Sequence, residues 1–239
     1  MKATTLLVRG LVAAASCLAV SGASAVPVVW TDWTALTNGQ TLAQGTMGGV
    51  GVTVSATAAM NGLSQLQGPG SSCQSNALGS ANYNYWIEPD ILDRPYTGGT
   101  VSNGPTACEQ IGLASGNSLT VTFSSAVDTL YMALLSVGQP NLIVTYDFNT
   151  AFSIDSEGRG AWGNDATNGV VGAGDTLTMR EFHGLLRFAA PVTSFTVTTG
   201  AENWQAFTFG MAVPEPGSLA LVGAALLGAG ALSRRRKAA

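Results

Sequence analysis

The sequence has few charged residues and almost no histidine. Only 10% of its 239 residues are charged, and His183 is its single histidine. Ten basic residues against fourteen acidic ones give a net charge of −4, which excludes a typical nucleic-acid-binding protein. By contrast, 46% of the residues are hydrophobic, too many for a disordered chain. The thirty glycines follow no three-residue period, which excludes a collagen-like chain.

The scarce charges are distributed unevenly along the chain. Residues 1–25 carry a net charge of +2, residues 26–212 carry −9 and residues 213–239 carry +3. The middle segment contains no lysine, and its four arginines face thirteen acidic residues. The mild total therefore conceals an acidic segment between two basic ends.

The N-terminal end has the features of a secretory signal. Lys2 and Arg9 give a positive start, an apolar run extends over 11–20, and Ala23 and Ala25 form an A-x-A cleavage site. The apolar run is too short to span a bilayer. Residues 1–25 are therefore predicted to be a signal peptide that is removed on export.

The C-terminal end has a different layout. Val213, Pro214, Glu215, Pro216 and Gly217 interrupt any preceding strand, because proline lacks the backbone donor. An uncharged run follows, long enough to predict one transmembrane helix over about 218–233. The basic tail 234–239 is predicted to stay in the cytoplasm, which leaves 26–216 outside. Its cations are Arg234, Arg235, Arg236 and Lys237. A buried helix with a solvated basic end is the alternative, less typical of a run that is apolar on all faces.

The order of Pro-Glu-Pro motif, short apolar helix and arginine cluster resembles the PEP-CTERM sorting signal of exported bacterial proteins. The resemblance covers about 27 residues, 213–239. It implies processing by exosortase, a membrane-embedded transpeptidase that recognises the motif, whose own residues do no chemistry. It also implies a transient precursor in the inner membrane, followed by release to the cell surface or medium. The family is associated with bacteria that make exopolysaccharide and biofilm.

Residues 26–212 are predicted to form one all-β ectodomain. Runs such as 50–55, 118–123 and 194–199 alternate apolar and polar residues, the period of a half-buried strand. The more uniformly apolar runs 129–136 and 142–148 predict central strands, although a helix stays open for the first. Short strands separated by turn residues favour an antiparallel β-sandwich, jelly-roll-like in its strand order.

Two cysteines remain after removal of the signal, Cys73 and Cys108. An even count in an exported protein predicts one disulfide. A redox pair or a metal site is the weaker alternative, because no histidine or second cysteine pair lies near them in the sequence.

No motif marks an active site. A Ser-His-Asp triad would need His183, but the sequence lacks a Gly-x-Ser-x-Gly elbow, and its neighbours fit a turn between strands. Carboxylate pairs for glycoside hydrolysis, such as Glu88 with Asp90 or Asp155 with Glu157, cannot be singled out among thirteen acids. We therefore expect a protein that is not an enzyme, with a secreted hydrolase of carbohydrates as the alternative.

The segment 147–175 reads as an acidic loop with hard oxygen ligands, which suits calcium. Its carboxylates are Asp147, Asp155, Glu157, Asp165 and Asp175. They do not follow the spacing of an EF-hand, and a solvated acidic surface is the favoured interpretation.

Tryptophan faces can stack on sugar rings, and the candidates are Trp30, Trp33, Trp86, Trp162 and Trp204. Trp86 and Trp162 lie among Gly, Asn and Tyr residues, where exposure is expected, whereas Trp30 and Trp33 flank a predicted strand and are expected in the core. The sequence thus favours a surface or matrix protein with a structural, adhesive or carbohydrate-binding role in extracellular polysaccharide.

Overall fold

A computed structural model describes residues 25–60, 84–86, 94–106, 109–160, 168–172 and 175–213. This part of the chain contains strands and no helix. The strands, in chain order, are β1 (Val28–Trp30), β2 (Asp32–Thr37), β3 (Leu42–Met47), β4 (Val50–Ala56), β5 (Ile111–Leu113), β6 (Asn117–Val127), β7 (Leu130–Val137), β8 (Val144–Phe148), β9 (Phe152–Glu157), β10 (Asn168–Val171), β11 (Thr176–Arg180), β12 (Phe182–Phe188), β13 (Val192–Thr199) and β14 (Gln205–Ala212).

The strands form two antiparallel sheets. The six-stranded sheet has the order β1-β14-β7-β12-β9, with β5 also paired to β14, and the eight-stranded sheet has the order β10-β11-β8-β13-β6-β4-β3-β2. Consecutive strands alternate between the sheets from β6 to β9 and again from β11 to β14. This alternation brings residues that are distant in sequence onto the same sheet.

One hydrophobic core contains residues from both sheets. Phe209 on β14 packs its ring against Phe123 on β6 and Phe195 on β13, at centroid distances of 6.1 and 5.9 Å. On β6 the burial alternates along the strand, so one face meets this core and the other faces solvent.

The six-stranded sheet is buried on its second face as well. Along β7, Met132 and Leu134 belong to the core between the sheets, whereas Tyr131 and Leu135 belong to a second hydrophobic cluster on the opposite face. The segments around 84–86 and 94–106 contribute to that cluster and cover the sheet. This explains why β7 reads as a uniformly apolar run.

The all-β, antiparallel fold predicted from the sequence is confirmed. The run 129–136 is a central strand, since β7 lies between β14 and β12. Of the run 142–148, only the part from Val144 onward forms a strand. Leu142 and Ile143 precede this strand and are exposed. Trp30 and Trp33 are buried, as expected. The jelly-roll order, the sandwich assignment and the single domain stay predictions.

One interpretation of local structure is wrong. The segment 147–175 is not one acidic loop: β9 and β10 lie within it, and Asp155 and Glu157 are part of β9. The turn between strands predicted around His183 is present at Glu181, between β11 and β12, and His183 itself is buried on β12.

Several predicted features lie outside the described residues. They are most of the signal peptide including Ala23, the cysteines Cys73 and Cys108, and the tail from Pro214 through Lys237. Within the described ranges, no helix is long and apolar enough to cross a membrane.

Candidate functional site

An acidic cleft of about 380 Å³ lies at one end of the six-stranded sheet. There β7 ends, and β12 and β14 begin, so that residues distant in sequence meet. The cleft is lined by Ser136, Gln139, Pro140, Glu181, Glu202, Asn203 and Trp204.

An irregular backbone shapes this end of the sheet. The pairing of β7 with β12 shifts register between Phe182 and Gly184, which marks a β-bulge. Ser136 and Glu181 flank the bulge with positive φ values of 52° and 47°, uncommon for residues other than glycine. Gly138 follows with φ of 82°, and an added Cβ there would meet a carbonyl oxygen at 2.8 Å, so the turn requires glycine.

Glu202 is the most perturbed acid of the cleft. Only 7% of the residue is exposed, and its Oε1 accepts a hydrogen bond of 2.7 Å from the backbone N–H of Gly138. Burial raises the pKa of Glu202 to about 7; repulsion from Glu181 raises it further, while the Gly138 N–H opposes the shift. A carboxyl group with such a pKa changes charge near neutral pH.

Glu181 belongs to a small polar cluster with Ser136 and His183. The Ser136 hydroxyl donates to Glu181 Oε1 at 3.1 Å, and His183 Nε2 lies 3.8 Å from the same oxygen. The Ser136 N–H donates to His183 Nδ1 at 3.4 Å, and the Tyr96 hydroxyl lies 3.3 Å from the same nitrogen. The cluster fixes the orientation of Glu181.

Behind the acids, Tyr146 donates a hydrogen bond of 2.9 Å to Gln205 Oε1. Burial, with a contribution from the charge of Glu202, raises the pKa of Tyr146 well above its ordinary value. Tyr146 therefore stays a neutral donor beneath the cleft.

An aromatic pair borders the cleft. Trp204 is partly exposed, and Tyr85 packs against it with ring centroids 5.6 Å apart and an interplanar angle of 48°. The indole therefore combines an accessible surface with a supported orientation.

Trp86, one of the two tryptophans predicted to stack on sugars, is buried instead of exposed. It is only 4% exposed and packs edge-to-face against Tyr96, with centroids 5.1 Å apart. The expected exposure was wrong because the segment folds over the six-stranded sheet. Trp162, the other candidate, lies outside the described residues.

The predicted calcium ligands are dispersed. Asp155 accepts hydrogen bonds from the N–H and the hydroxyl of Thr100, at 2.8 and 2.7 Å, and Glu157 Oε2 accepts one of 3.0 Å from the Gly169 N–H. These two carboxylates tie neighbouring segments to β9. Asp147 is exposed on β8, and the backbone oxygen of Asp175 accepts from the Phe148 N–H.

In the described part of the chain, no three His, Cys, Asp or Glu residues are placed to hold a metal ion together. Asp165 lies outside that part. Calcium binding by this acidic segment stays a prediction.

The two ends of the described chain meet on the six-stranded sheet. Val28 on β1 is the register partner of Ala212 on β14, and the Val213 N–H donates to the Pro27 carbonyl at 3.0 Å. Ala25, the last residue of the predicted signal, is exposed next to this pair. In the sequence, the Pro-Glu-Pro motif therefore begins at Pro214, two residues after the end of β14 at Ala212.

Sequence reasoning did not single out Glu181 or Glu202, and it named Trp204 as a stacking candidate without preferring it. The residues lie on separate turns, and no spacing rule joins them. The available signal was weak: an acid beside the only histidine, and an acid two positions before a tryptophan.

Residues 212–237 match the family model of the PEP-CTERM protein-sorting motif. The resemblance drawn from the motif, the apolar run and the arginine cluster is thereby confirmed. No curated protein and no solved structure matches the chain. The match concerns the tail, and it indicates an exported protein with a membrane-anchored precursor that exosortase processes.

Proposed function

We propose that this chain is an exosortase-sorted surface or matrix protein, whose ectodomain has a structural or adhesive role by binding extracellular polysaccharide without cleaving it. The observation that carries the sorting step is the PEP-CTERM match over 212–237, which begins at the last residue of β14. The precursor is held in the inner membrane by its C-terminal helix, and the processed protein then reaches the cell surface or the medium.

The position of the motif, close behind the last strand in the sequence, supports this order of anchoring and processing. β14 ends at Ala212, and Val213 is still fixed by its hydrogen bond to Pro27. Pro214, Glu215 and Pro216 follow without a spacer. A proline-rich segment favours an extended backbone, which suits recognition in a protease-like groove.

The cleft supports the carbohydrate-binding role. Its volume of about 380 Å³ falls within the range typical of small-ligand sites. The Trp204 ring offers an apolar face for the C–H side of a sugar, and Asn203 and Gln139 offer amide groups for its hydroxyls.

A hydrolase is the second candidate, favoured by one observation. The pKa of Glu202, raised to about 7, suits a general acid, and Glu181 is a second carboxylate in the same cleft. On this alternative, Glu202→Gln abolishes product release from a polysaccharide. On our proposal, the wild-type protein binds the polysaccharide and releases no reducing ends.

The sorting step is tested by replacing Pro214, Glu215 and Pro216 with alanine in the producing bacterium. We expect a larger form retained in the membrane fraction, because exosortase no longer recognises the tail. Pro191→Ala, in the turn between β12 and β13, is the control and should be processed normally. An unchanged size and location of the triple variant would contradict the sorting proposal.

The binding role is tested by sedimenting the full chain, kept soluble in detergent, with exopolysaccharide from the producing strain. We expect the protein in the pellet, with no sugar released over the same period. A protein that stays in the supernatant at every polysaccharide concentration would exclude this role.

A further inference from the structure

We propose that, in the membrane-anchored precursor, one end of the domain docks on the anionic lipid headgroups of the inner membrane. This end, here called the terminal end, consists of the start of β1, the end of β14 and the turns 128–129, 150–151 and 189–191. The inference rests on the proposed membrane-anchored precursor and specifies the surface that meets the bilayer. It is carried by the short chain between β14 and the predicted transmembrane helix, and by the charges of the turns.

Both connections to predicted membrane segments leave the fold at the terminal end. β1 and β14 are antiparallel, with Val28 opposite Ala212, so the start of one strand lies beside the end of the other. The predicted signal peptide precedes β1, and the sorting tail follows β14. Before either cleavage, the domain is therefore tethered to the membrane twice at the same end.

The tether that follows β14 is short. The residues 214–217 separate Val213 from the predicted transmembrane helix, and Val213 itself is fixed by its hydrogen bond of 3.0 Å to the Pro27 carbonyl. Even a fully extended chain spans at most about 18 Å over this distance. The headgroup layer takes up about 5–8 Å of that reach. The end of β14 therefore lies within about 13 Å of the outer surface of the headgroups.

The three turns lie level with the end of β14. The Ala212 N–H donates to the Thr129 carbonyl at 3.1 Å, and the Ala189 N–H donates to the Ala151 carbonyl at 3.1 Å. In the register of the six-stranded sheet, β7 begins and β12 ends at this level. The turns therefore approach the bilayer together with the end of β14.

The turns carry little charge. Asp128 is the single ionisable residue among them, and the exposed Arg187 lines the same surface depression with the opposite charge. The exposed residues Ala151, Ala189 and Ala190 are small and uncharged. Anionic lipids repel acidic surfaces at short range, and 26–212 carries −9 in total. The terminal end thus allows an acidic domain to approach an anionic bilayer.

The opposite end of the sheet differs in charge. The cleft with Glu181 and Glu202 lies there, where β14 begins. β14 has eight residues, which span about 26 Å in a strand. Docking through the terminal end therefore keeps these acids away from the anionic surface and directs the cleft away from the bilayer.

The test measures how fast a bulky polyethylene glycol maleimide labels single added cysteines in the full chain. The chain is reconstituted without exosortase in vesicles of phosphatidylcholine and phosphatidylglycerol, and labelling of the wild type gives the baseline of the native cysteines. Ala190→Cys places the thiol at the terminal end, and Asn141→Cys places it in an exposed turn at the opposite end. We expect Ala190→Cys to react about tenfold more slowly, the effect of a docked state that holds about nine-tenths of the molecules.

A spacer tests the tether. A flexible Gly-Ser segment of about twenty residues, inserted between Val213 and Pro214, adds about 25 Å of reach. It should bring the labelling rate of Ala190→Cys to within about twofold of that of Asn141→Cys, because the domain is no longer held at the headgroups.

An added acid tests the charge. Ala151→Glu should speed the labelling of Ala190→Cys about fivefold in the anionic vesicles, as expected for one charge near such a surface. Ser115→Glu, at an exposed position of the opposite end, is the matched control and should leave the rate unchanged.

Equal labelling of the two cysteines in vesicles, or slow labelling of Ala190→Cys that the spacer leaves unchanged, would overturn the inference. So would slow labelling that appears only after exosortase is added, since the enzyme would then cover this end. A full chain that floats with the vesicles but labels equally at both positions would refute this inference and leave the membrane-anchored precursor standing. A full chain that does not float with the vesicles would refute both.

Discussion

The six-stranded sheet is covered on both faces, whereas the eight-stranded sheet packs on one face and exposes the other to solvent. Along β12 all residues except one are buried, while β6 alternates between buried and exposed positions. The clusters around Phe209 on one side and Tyr131 on the other account for the double covering. The eight-stranded sheet ends in β10, where Val170 is 62% exposed.

The parts of the molecule to which we assign a role lie on the doubly covered sheet. Its β1 follows the predicted signal peptide, its β14 precedes the sorting motif, and the cleft opens where β7, β12 and β14 meet. A sheet fixed on both faces can hold strained turns such as those at Ser136 and Glu181 in place. The proposed binding residues therefore depend on the covered sheet for their geometry.

The largest expected effect is on the core shared by the sheets. Phe209→Ala should lower the free energy of unfolding by about 3–5 kcal/mol, because its ring packs against aromatic rings of both sheets and leaves a cavity. Val170→Ala on the exposed edge should change it by less than about 0.5 kcal/mol. Denaturant unfolding measures both. Similar decreases in the free energy of unfolding for the two variants would contradict the difference in packing between the core and the edge strand.

A smaller effect is expected where β1 is fastened. The Asn103 side chain accepts from the Val28 N–H and donates to the Val28 carbonyl, at 2.7 and 2.8 Å. Asn103→Ala should cost about 1–3 kcal/mol, since both backbone groups lose their partner in a partly buried site. Thr34→Ala removes one exposed hydrogen bond at the edge of the eight-stranded sheet and should cost well under that. A larger loss for Thr34→Ala would mean that the edge strand β2 is better fixed than β1.

The last effect is a dependence of stability on pH, to which Glu202 in the cleft contributes. The pKa of Glu202 is about 7 in the folded protein and 4.5 in the unfolded chain. The folded state therefore binds more protons between these values, and the free energy of unfolding falls as the pH rises from about 4.5 to 7. Burial also raises the pKa of Glu109, to about 6. Glu109 therefore contributes a similar decrease in the free energy of unfolding, which is complete at a lower pH.

Glu202→Gln tests this contribution. The variant should gain stability relative to the wild type when the pH is raised from 5 to 8, as followed by thermal unfolding. Glu181, His183 and Tyr146 remain around the site in both proteins. Asp147→Asn should show no such gain. A difference in stability between Glu202→Gln and the wild type that does not change from pH 5 to pH 8 would contradict the raised pKa of Glu202.

The hydrophobic periodicity of the sequence predicted those strands in which each face has the same environment along its length. The alternation at 118–123 and 194–199 corresponds to β6 and β13, whose two faces meet core and solvent. The apolar run at 129–136 corresponds to β7, which is buried on both faces. Period-two patterns report the coverage of each face directly, so this part of the fold is readable from sequence.

The cleft was not predictable in the same way. Ser136, Glu181 and Glu202 meet only because strands β7, β12 and β14 are neighbours in one sheet, and sheet order is not encoded in local spacing. Trp86 was misjudged for a similar reason, since its polar neighbours suggested exposure while the segment covers the sheet. Non-local packing decided both cases.

The most direct test of export and exosortase processing is mass spectrometry of both ends of the mature protein recovered from the producing cells and medium. We predict an N-terminus at Val26, and a C-terminus near the Pro-Glu-Pro motif that lacks Arg234 to Lys237 while retaining all of β14. Such ends would leave the pair β1–β14 intact and show export followed by exosortase processing. A mature protein that still extends to Ala239 would contradict processing of the tail, and one that still begins at Met1 would contradict removal of a signal peptide.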